Sequence, residues 1–158
     1  MIRYVVGDAT QPPIEGGGVR VICHVCNDVG AWGAGFVLAL SRRWLEPAAT
    51  YKNAFARAVA PQLGEVQLVR VEAGLYVANL IAQRGLPSSD RRVALDYTAL
   101  ANCLTWLAQY AERDWSFHMP RIGCGIAGGH WGAVAKIVGS TIGAHHDVTV
   151  YDLPAVGL

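Results

Sequence analysis

Two clusters of glycines are the residues of this sequence best suited to bind a phosphate group. The chain has 18 glycines, and segments 30–35 and 123–132, where many of them lie, each follow a predicted strand and precede a predicted helix. Such a turn exposes backbone N–H groups at a helix N-terminus, where hydrogen-bond donors and the helix dipole stabilise an anion. Paired loops of this kind indicate a diphosphate ligand, although glycine also occurs in strand-to-helix turns for geometry alone. The glycines concerned are Gly30, Gly33 and Gly35, and then Gly123, Gly125, Gly128, Gly129 and Gly132.

Three polar side chains also follow predicted strands. Asp8 comes after the first strand, and Asn27 and Asp28 come after the second. A carboxylate accepts a hydrogen bond from an amino group, and an amide side chain can bind a diol. The alternative is that all three merely cap turns, which is common for Asp and Asn at such positions.

A dinucleotide-binding fold is a second interpretation of the later cluster. Segment 123–128 reads G-x-G-x-x-G, and an acidic residue follows at Asp147 or Asp152. The motif lies late in the chain, with one predicted strand after it, so a second mononucleotide-binding half cannot be built.

The four cysteines do not indicate a metal or redox site. Cys23 and Cys26 form a C-x-x-C, but they close an apolar run instead of opening a helix. Cys103 and Cys124 lack the spacing of a second pair of zinc ligands. We therefore expect reduced, mostly buried thiols, with no metal and no cofactor.

Other residues of chemical interest have simpler explanations. His24 and His118 lie in apolar strands and are predicted to be core residues. Arg121 is predicted to pair with a nearby carboxylate instead of a phosphate.

Short apolar runs that alternate with helical patterns predict an α/β domain whose mixed six-stranded sheet has helices on both faces. The strands are predicted at 2–6, 19–24, 65–71, 75–81, 116–119 and 148–151, with a hairpin turn at 72–74. Helices are predicted from Gly35 to just before Pro47, from 49 to about 59, after an N-cap at Asp96, and from near Gly129.

Composition limits the class of protein. A length of 158 residues fits a single domain, 1–158. A hydrophobic content of 53% argues against disorder, and a net charge of +1 argues against a basic nucleic-acid platform. The uncharged run 97–111 is too short to cross a bilayer, and the first residues do not resemble a signal peptide. We expect a cytoplasmic protein that does not bind membranes.

Four segments of the chain resemble the signature loops of macrodomains. They are 7–10 (GDAT), 24–28 (HVCND), 32–35 (WGAG) and 119–126 (MPRIGCGI). The last of these and the strand at 148–151 are most similar to the branch that contains terminal ADP-ribose glycohydrolase and the remodeller-linked macrodomains. The resemblance covers residues 2–153. It implies a three-layer α/β/α fold, with an ADP-ribose cleft along the strand ends.

Matched position by position, the resemblance assigns a role to each candidate binding residue. Asp8 corresponds to the acid that accepts from the adenine amino group, with the N–H of Ala9 nearby, and Asn27 corresponds to the distal-ribose residue. Trp32 either covers the ligand or packs in the core. The phosphate loops are Gly33, Ala34 and Gly35, and then Gly123, Cys124, Gly125, Ile126 and Ala127, while Tyr151 and Asp152 border the adenosine.

The catalytic residues of the glycohydrolase branch are missing. That branch uses a lysine after the fourth strand and an aspartate in the second glycine loop for covalent catalysis. Gln83 and Ala127 stand at these positions, and neither can form a Schiff base or act as a base. Lys52 is the lysine that would take part if this alignment is displaced.

Other macrodomain branches hydrolyse ADP-ribosyl esters with a positioned water. Here Asn27, Asp28 and Gln83 are the polar residues expected to orient it, with Asn27 expected to matter more than Gln83. The resemblance therefore implies either an ADP-ribosyl ester hydrolase or a reader that binds ADP-ribose without turnover. The partner is ADP-ribose or an ADP-ribosylated protein; nucleic acid is not expected, but an ADP-ribosylated nucleic acid stays open.

Overall fold

The computed structural model describes residues 1–88 and 93–155, which form one six-stranded sheet with helices on both faces. In chain order the elements are β1 (Ile2–Val6), β2 (Arg20–Asn27), α1 (Phe36–Ser41), α2 (Glu46–Phe55), β3 (Val66–Glu72), β4 (Leu75–Gln83), α3 (Tyr97–Tyr110), β5 (Ser116–Met119), α4 (Trp131–Ser140) and β6 (Asp147–Asp152), with a 3₁₀ turn at Ile142–Ala144 before β6.

The sheet is mixed, as predicted. Its strand order is β1-β6-β5-β2-β4-β3; β3 is antiparallel to β4, and the other neighbouring strands are parallel. The carboxyl ends of the parallel strands therefore meet at one edge, where the loops that follow β2 and β5 are neighbours. This order differs from that of a dinucleotide-binding sheet, so the alternative based on the 123–128 motif is wrong.

Alternate residues of each central strand enter different layers. In β2, Val21 and Cys23 pack with α3 and α4, whereas Ile22 and Cys26 pack with α1 and α2. Because successive strand residues point to opposite faces, a strand buried on both sides is apolar throughout. The three-layer α/β/α arrangement is confirmed.

The long helix α3 begins as the sequence predicts. The Asp96 carboxylate accepts a hydrogen bond from Ala99 N at 2.8 Å and so caps the helix. The helix buries Leu100, Cys103, Leu104 and Leu107, while Ala108 is half-buried.

The predicted helices around Pro47 are wrong in their boundaries. Instead of running from Gly35 to Pro47, the first helix ends at Ser41. The second begins at Glu46, with Pro47 in its first turn, and ends at Phe55 instead of near 59. Proline has no N–H group to donate. Because N–H groups in the first turn of a helix have no acceptor within the helix, Pro47 fits at the start of α2 instead of ending the helix before it.

Two strands, β2 and β4, extend at least two residues further than predicted, and this places polar residues inside the sheet. β2 continues to Asn27 and β4 continues to Gln83, and these two residues are paired across an irregularity between Cys26 and Asn27. Both side chains are consequently held by strands.

The burial of the cysteines is confirmed. Cys23, Cys26 and Cys103 are buried, Cys124 is half-buried, and none is in a disulfide. Among residues 1–88 and 93–155, no group of three or more His, Cys, Asp or Glu side chains is placed to bind a metal ion. Over the same residues, no helix has the length and hydrophobicity that a membrane crossing requires.

Candidate ligand-binding site

A cleft of about 450 Å³ lies at the carboxyl ends of β2, β4 and β5. It contains parts of both glycine segments, the ends of the two extended strands and an apolar wall. The residues that line it are His24, Val25, Cys26, Asn27, Ala31, Gly33, Ala34, Gly35, Phe36, Val37, Gln83, Leu86, Pro120, Arg121, Ile122, Gly123, Gly125, Ile126 and Ala127.

The two glycine segments meet across this cleft. A Cβ atom at Gly35 would lie 3.1 Å from Cδ1 of Ile126, so the isoleucine side chain touches the first segment from the second. Ile126 is 49% exposed. The sequence predicted that the two loops act as a pair, and in the fold both line one cleft.

Both segments bring free backbone donors to the lining of the cleft. Within the described part of the chain, the N–H groups of Gly33, Ala34, Gly125 and Ile126 donate to no protein acceptor. Backbone amides of this kind can bind a phosphate without a positively charged side chain.

Asn27 shapes the approach to the first glycine segment. Its Oδ1 accepts from Val29 N and Ala31 N, both at 3.1 Å, and from the Tyr51 hydroxyl at 2.7 Å. Its Nδ2 donates to Ala31 O at 2.7 Å. Asn27 lines the cleft, but the side-chain oxygen expected to orient a water is occupied by the loop.

Gln83 presents a free acceptor to the cleft. Its Nε2 donates to Gly85 O at 2.9 Å, whereas no described residue donates to its Oε1. The side chain is 6% exposed and lines the cleft. Gln83 is therefore better placed than Asn27 to hold a water.

Asp28 lies outside the described lining of the cleft. Its Oδ1 accepts from Gly85 N at 2.7 Å, and its own N–H donates to Gln83 O at 3.0 Å. The carboxylate thus fixes the turn after β4. That Asp28 orients a water in the cleft stays a prediction, which this hydrogen bond does not favour.

Asp8 and Ala9 follow β1 and do not contribute to the described lining. The Asp8 carboxylate accepts from the backbone and hydroxyl of Thr10 at 2.9 and 2.7 Å, and Arg43 lies 3.8 Å away. Partial burial acts to raise the pKa of Asp8, but the Thr10 hydrogen bonds and the arginine hold that pKa below its ordinary value. Ala9 is buried. Asp8 is therefore an ionised acceptor that also caps a turn.

Arg121 pairs with a carboxylate, as predicted. Its guanidinium donates to both oxygens of Asp152, at 2.8 and 3.0 Å, and lies over the rings of Tyr4 and Trp131. Asp152 is thus already bound at the end of β6, at one side of the cleft.

Three further candidates have side chains that the structure uses elsewhere. The Trp32 ring packs on His24 and Tyr51, and its Nε1 donates to Ser41. The Tyr151 hydroxyl is hydrogen-bonded to a ring nitrogen of His118. Cys124 is bonded to the carbonyl of Ile122. None of Trp32, Tyr151 and Cys124 belongs to the described lining, so for Trp32 the geometry favours packing.

The cleft lacks a strong nucleophile among its described lining. Arg121 is the one residue there with a formal charge at neutral pH. Burial lowers the pKa of His24 to about 4, so its ring is neutral, and burial raises the pKa of the Cys26 thiol well above its usual range. The two lysines of the sequence, Lys52 and Lys136, lie on α2 and α4, away from this lining.

Sequence reasoning missed the apolar wall, which includes Phe36, Val37, Leu86, Pro120 and Ile122. These residue types carry no chemistry of their own, and no spacing in the sequence marks them. The sequence predicted His24 to be a core residue, and its 2% exposure and its hydrogen bond to Asn79 confirm this. The structure adds that His24 also forms part of the cleft floor.

A six-stranded mixed sheet between helix layers, with a glycine-lined cleft at its strand ends, defines an α/β/α ligand-binding domain. A macrodomain protein from Streptomyces coelicolor is 43% identical, with a TM-score of 0.83, over 96% of this chain and 99% of that chain. A protein of unknown function from Bacteroides thetaiotaomicron is 46% identical, with a TM-score of 0.89, over 97% of this chain and 98% of that chain. The chain belongs to the macrodomain family.

Two curated proteins are also similar to the chain, whereas no family model matches it. A chromodomain-helicase-DNA-binding protein 1-like from Danio rerio is 30% identical over 146 residues, which are 87% of this chain and 14% of that protein. The chain thus spans about one seventh of that relative's length. An ADP-ribose 1''-phosphate phosphatase from Candida albicans is 22% identical over 83% of this chain and 87% of that protein.

Proposed function

We propose that the cleft binds ADP-ribose. The observation that carries this proposal is the meeting of two glycine segments whose free amides face one cavity. Such donors suit a diphosphate, which would lie between Gly33–Gly35 and Gly123–Ala127. Asp8 and Asp152 then mark the adenosine side, and Asn27 and Gln83 mark the distal-ribose side. One of the curated relatives is a phosphatase of an ADP-ribose derivative, which supports this ligand class.

We further infer that the protein hydrolyses ADP-ribosyl esters, either on Asp and Glu side chains or as O-acetyl-ADP-ribose. Water would attack at the ester, and its elements would be added across the bond to give ADP-ribose and a carboxylic acid. The bound diphosphate and the Gln83 Oε1 would hold that water, so that its loss of freedom precedes the reaction. A covalent lysine intermediate is not part of this mechanism, because the described lining has no lysine.

A reader that binds ADP-ribose without turnover is the second candidate. It is favoured by the absence of any carboxylate from the described lining of the cleft. An ester hydrolase can work by positioning alone, whereas a glycosidic bond normally requires an acid as well. The two candidates therefore differ in turnover on esters.

Two measurements on one preparation test these proposals. Calorimetry is expected to show tight binding of ADP-ribose and much weaker binding of NAD, whose nicotinamide extends the distal ribose. Incubation with Asp/Glu-ADP-ribosylated protein is then expected to release ADP-ribose. Equal affinity for NAD and ADP-ribose contradicts the ligand assignment, and tight ADP-ribose binding without release leaves the reader.

Gly125→Ala is expected to weaken ADP-ribose binding at least about 10-fold without lowering the melting temperature. A Cβ at Gly125 meets no atom within 4 Å, so the fold accommodates it. A ligand that approaches the backbone closely does not accommodate it. Calorimetry with thermal unfolding checks both effects, and Gly139→Ala on α4, equally unobstructed, is the matched control. Unchanged affinity in Gly125→Ala would place the diphosphate elsewhere.

Asp8→Ala is expected to weaken ADP-ribose binding by about 1–3 kcal/mol, the range for loss of a hydrogen bond to a charged group. Because Thr10 also loses its acceptor, the affinity must be compared with that of Thr10→Val, which disturbs the same turn but keeps the carboxylate. Equal losses in the two variants, measured by calorimetry, would show that Asp8 acts only through the turn.

A further inference from the structure

One face of β1, β6 and β5 carries polar side chains at alternate positions. In register, Ser116 lies beside Asp147, and His118 lies beside Thr149, which in turn neighbours Arg3. The opposite face of the same strands is apolar and packs against α3 and α4. Because α1 and α2 cover the other half of the sheet, this polar face borders a second cavity instead of a helix.

The side chains of Ser116, His118 and Tyr151 form a hydrogen-bonded chain on this face. Ser116 Oγ lies 2.8 Å from His118 Nε2, and His118 Nδ1 lies 2.7 Å from the Tyr151 hydroxyl. His118 is 5% exposed. Burial, assisted by Arg20 and Arg3, lowers the pKa of His118 to about 4, so the imidazole is neutral at pH 7. When Tyr151 accepts from Nδ1–H, Nε2 is free to accept the Ser116 proton.

The Ser116 end of this row of hydrogen bonds lies at a cavity of about 510 Å³. The cavity is at the amino ends of these strands, opposite the glycine-lined cleft. Ser116 and His118 line it together with Gly16 and Gly18. Gly18 lies against the backbone of Asp114, with no room for a side chain, which holds the glycine loop beside the segment before Ser116. In the described residues, the N–H groups of Gly16 and Gly18 donate to no protein acceptor.

We infer that Ser116 is a nucleophilic serine that accepts the acyl group of small carboxylic esters in this second cavity. A serine, a histidine that takes its proton and a third group that orients the histidine are the elements of such a site. The free amides of the glycine loop are the donors available to the oxygen that becomes negative.

In the acylation step, Ser116 Oγ forms a bond to the carbonyl carbon and its proton passes to His118 Nε2. The ester C–O bond then breaks, and the leaving alcohol takes that proton. A water then gives a proton to the same nitrogen and forms a bond to the acyl carbon. The bond from Ser116 Oγ to that carbon breaks, the proton returns from His118 Nε2 to Ser116 Oγ, and the carboxylic acid leaves. The third group is a phenol instead of a carboxylate, so it stabilises the imidazolium weakly, and acylation is expected to outpace release.

A fluorophosphonate probe tests this inference on the intact protein, independently of ADP-ribose binding. One probe molecule per chain is expected, located at Ser116 by peptide mass analysis. Ser116→Ala is expected to abolish this labelling, and His118→Gln to slow it at least about 100-fold, the usual contribution of a general base. The matched control is Ser140→Ala, which removes an exposed serine bonded to a helix carbonyl and not to a histidine.

Thermal unfolding and ADP-ribose affinity of each variant verify the fold. A burst of p-nitrophenol from p-nitrophenyl acetate, equal to one per chain and absent in Ser116→Ala, is the second expected result. Absence of labelling at Ser116, labelling of Ser116 no faster than of Ser140, or full labelling in a folded His118→Gln variant would overturn the inference.

Discussion

Gly35→Val is expected to lower the affinity for ADP-ribose at least about 100-fold. Gly35 has φ +82° and ψ −146°, a region of backbone conformation that essentially only glycine occupies and that costs a residue with a side chain about 1–3 kcal/mol. Its Cβ would also lie 3.1 Å from Ile126 Cδ1, so the added methyl groups enter the cleft where the two glycine segments meet. Calorimetric titration of the purified variant measures the loss.

Gly74→Val separates backbone strain from obstruction of the cleft. Gly74 has φ +71° in the hairpin turn between β3 and β4, and a Cβ there meets no atom within 4 Å. Both valine variants should therefore lose stability in chemical unfolding, Gly35→Val the more because its Cβ also meets Ile126, while only Gly35→Val should lose affinity. Equal affinities in the two variants would contradict a diphosphate between the glycine segments.

The sheet was predictable because its strands obey simple patterns. A strand such as β4, buried on both faces, appears as a continuous apolar run, and the glycines that follow β2 and β5 mark the ends of those strands. The resemblance then supplied the three-layer arrangement, whereas the strand order is contained in no local pattern and was not predicted. Even so, the apolar pattern predicted that β4 ends at 81. The strand continues through Ala82 to Gln83, which pairs with Asn27 of β2.

The roles of the polar residues were harder to predict. Asn27 and Gln83 are both amides at a strand end, and the sequence ranked Asn27 first. Their difference depends on which hydrogen bonds are already made: Asn27 Oδ1 has three donors, whereas Gln83 Oε1 has none among the described residues. Tyr51, which supplies one of these donors from α2, is distant in sequence and carries no motif.

The role of Asp28 also depends on the hydrogen bonds that it already makes. In the sequence it stands beside Asn27, directly before the first glycine cluster, as a base would. Its carboxylate instead accepts from Gly85 N in the loop after β4, next to the irregular pairing at the end of β2. A register shift of this kind depends on both strands and cannot be inferred from either one alone.

Gln83→Ala is accordingly expected to lower kcat on an Asp/Glu-ADP-ribosylated protein about 10- to 100-fold, the scale of one positioning contact. The affinity for ADP-ribose should change less than about threefold, since Gln83 holds the water and not the diphosphate. Gln109→Ala, on the exposed side of α3, is the matched control and should keep full turnover. Single-turnover release of ADP-ribose separates kcat from binding.

The mechanism predicts a further result with the same variant. Borohydride added during turnover of either the parent protein or Gln83→Ala is expected to trap no ADP-ribosylated lysine, since Lys52 and Lys136 lie outside the described lining of the cleft. A trapped adduct at Lys52 would restore the covalent mechanism and remove the need for a positioned water. Undiminished kcat in Gln83→Ala without any adduct would instead indicate that Asn27 holds the water. The Asn27 amide would then have to break its hydrogen bond to Ala31 O during the reaction.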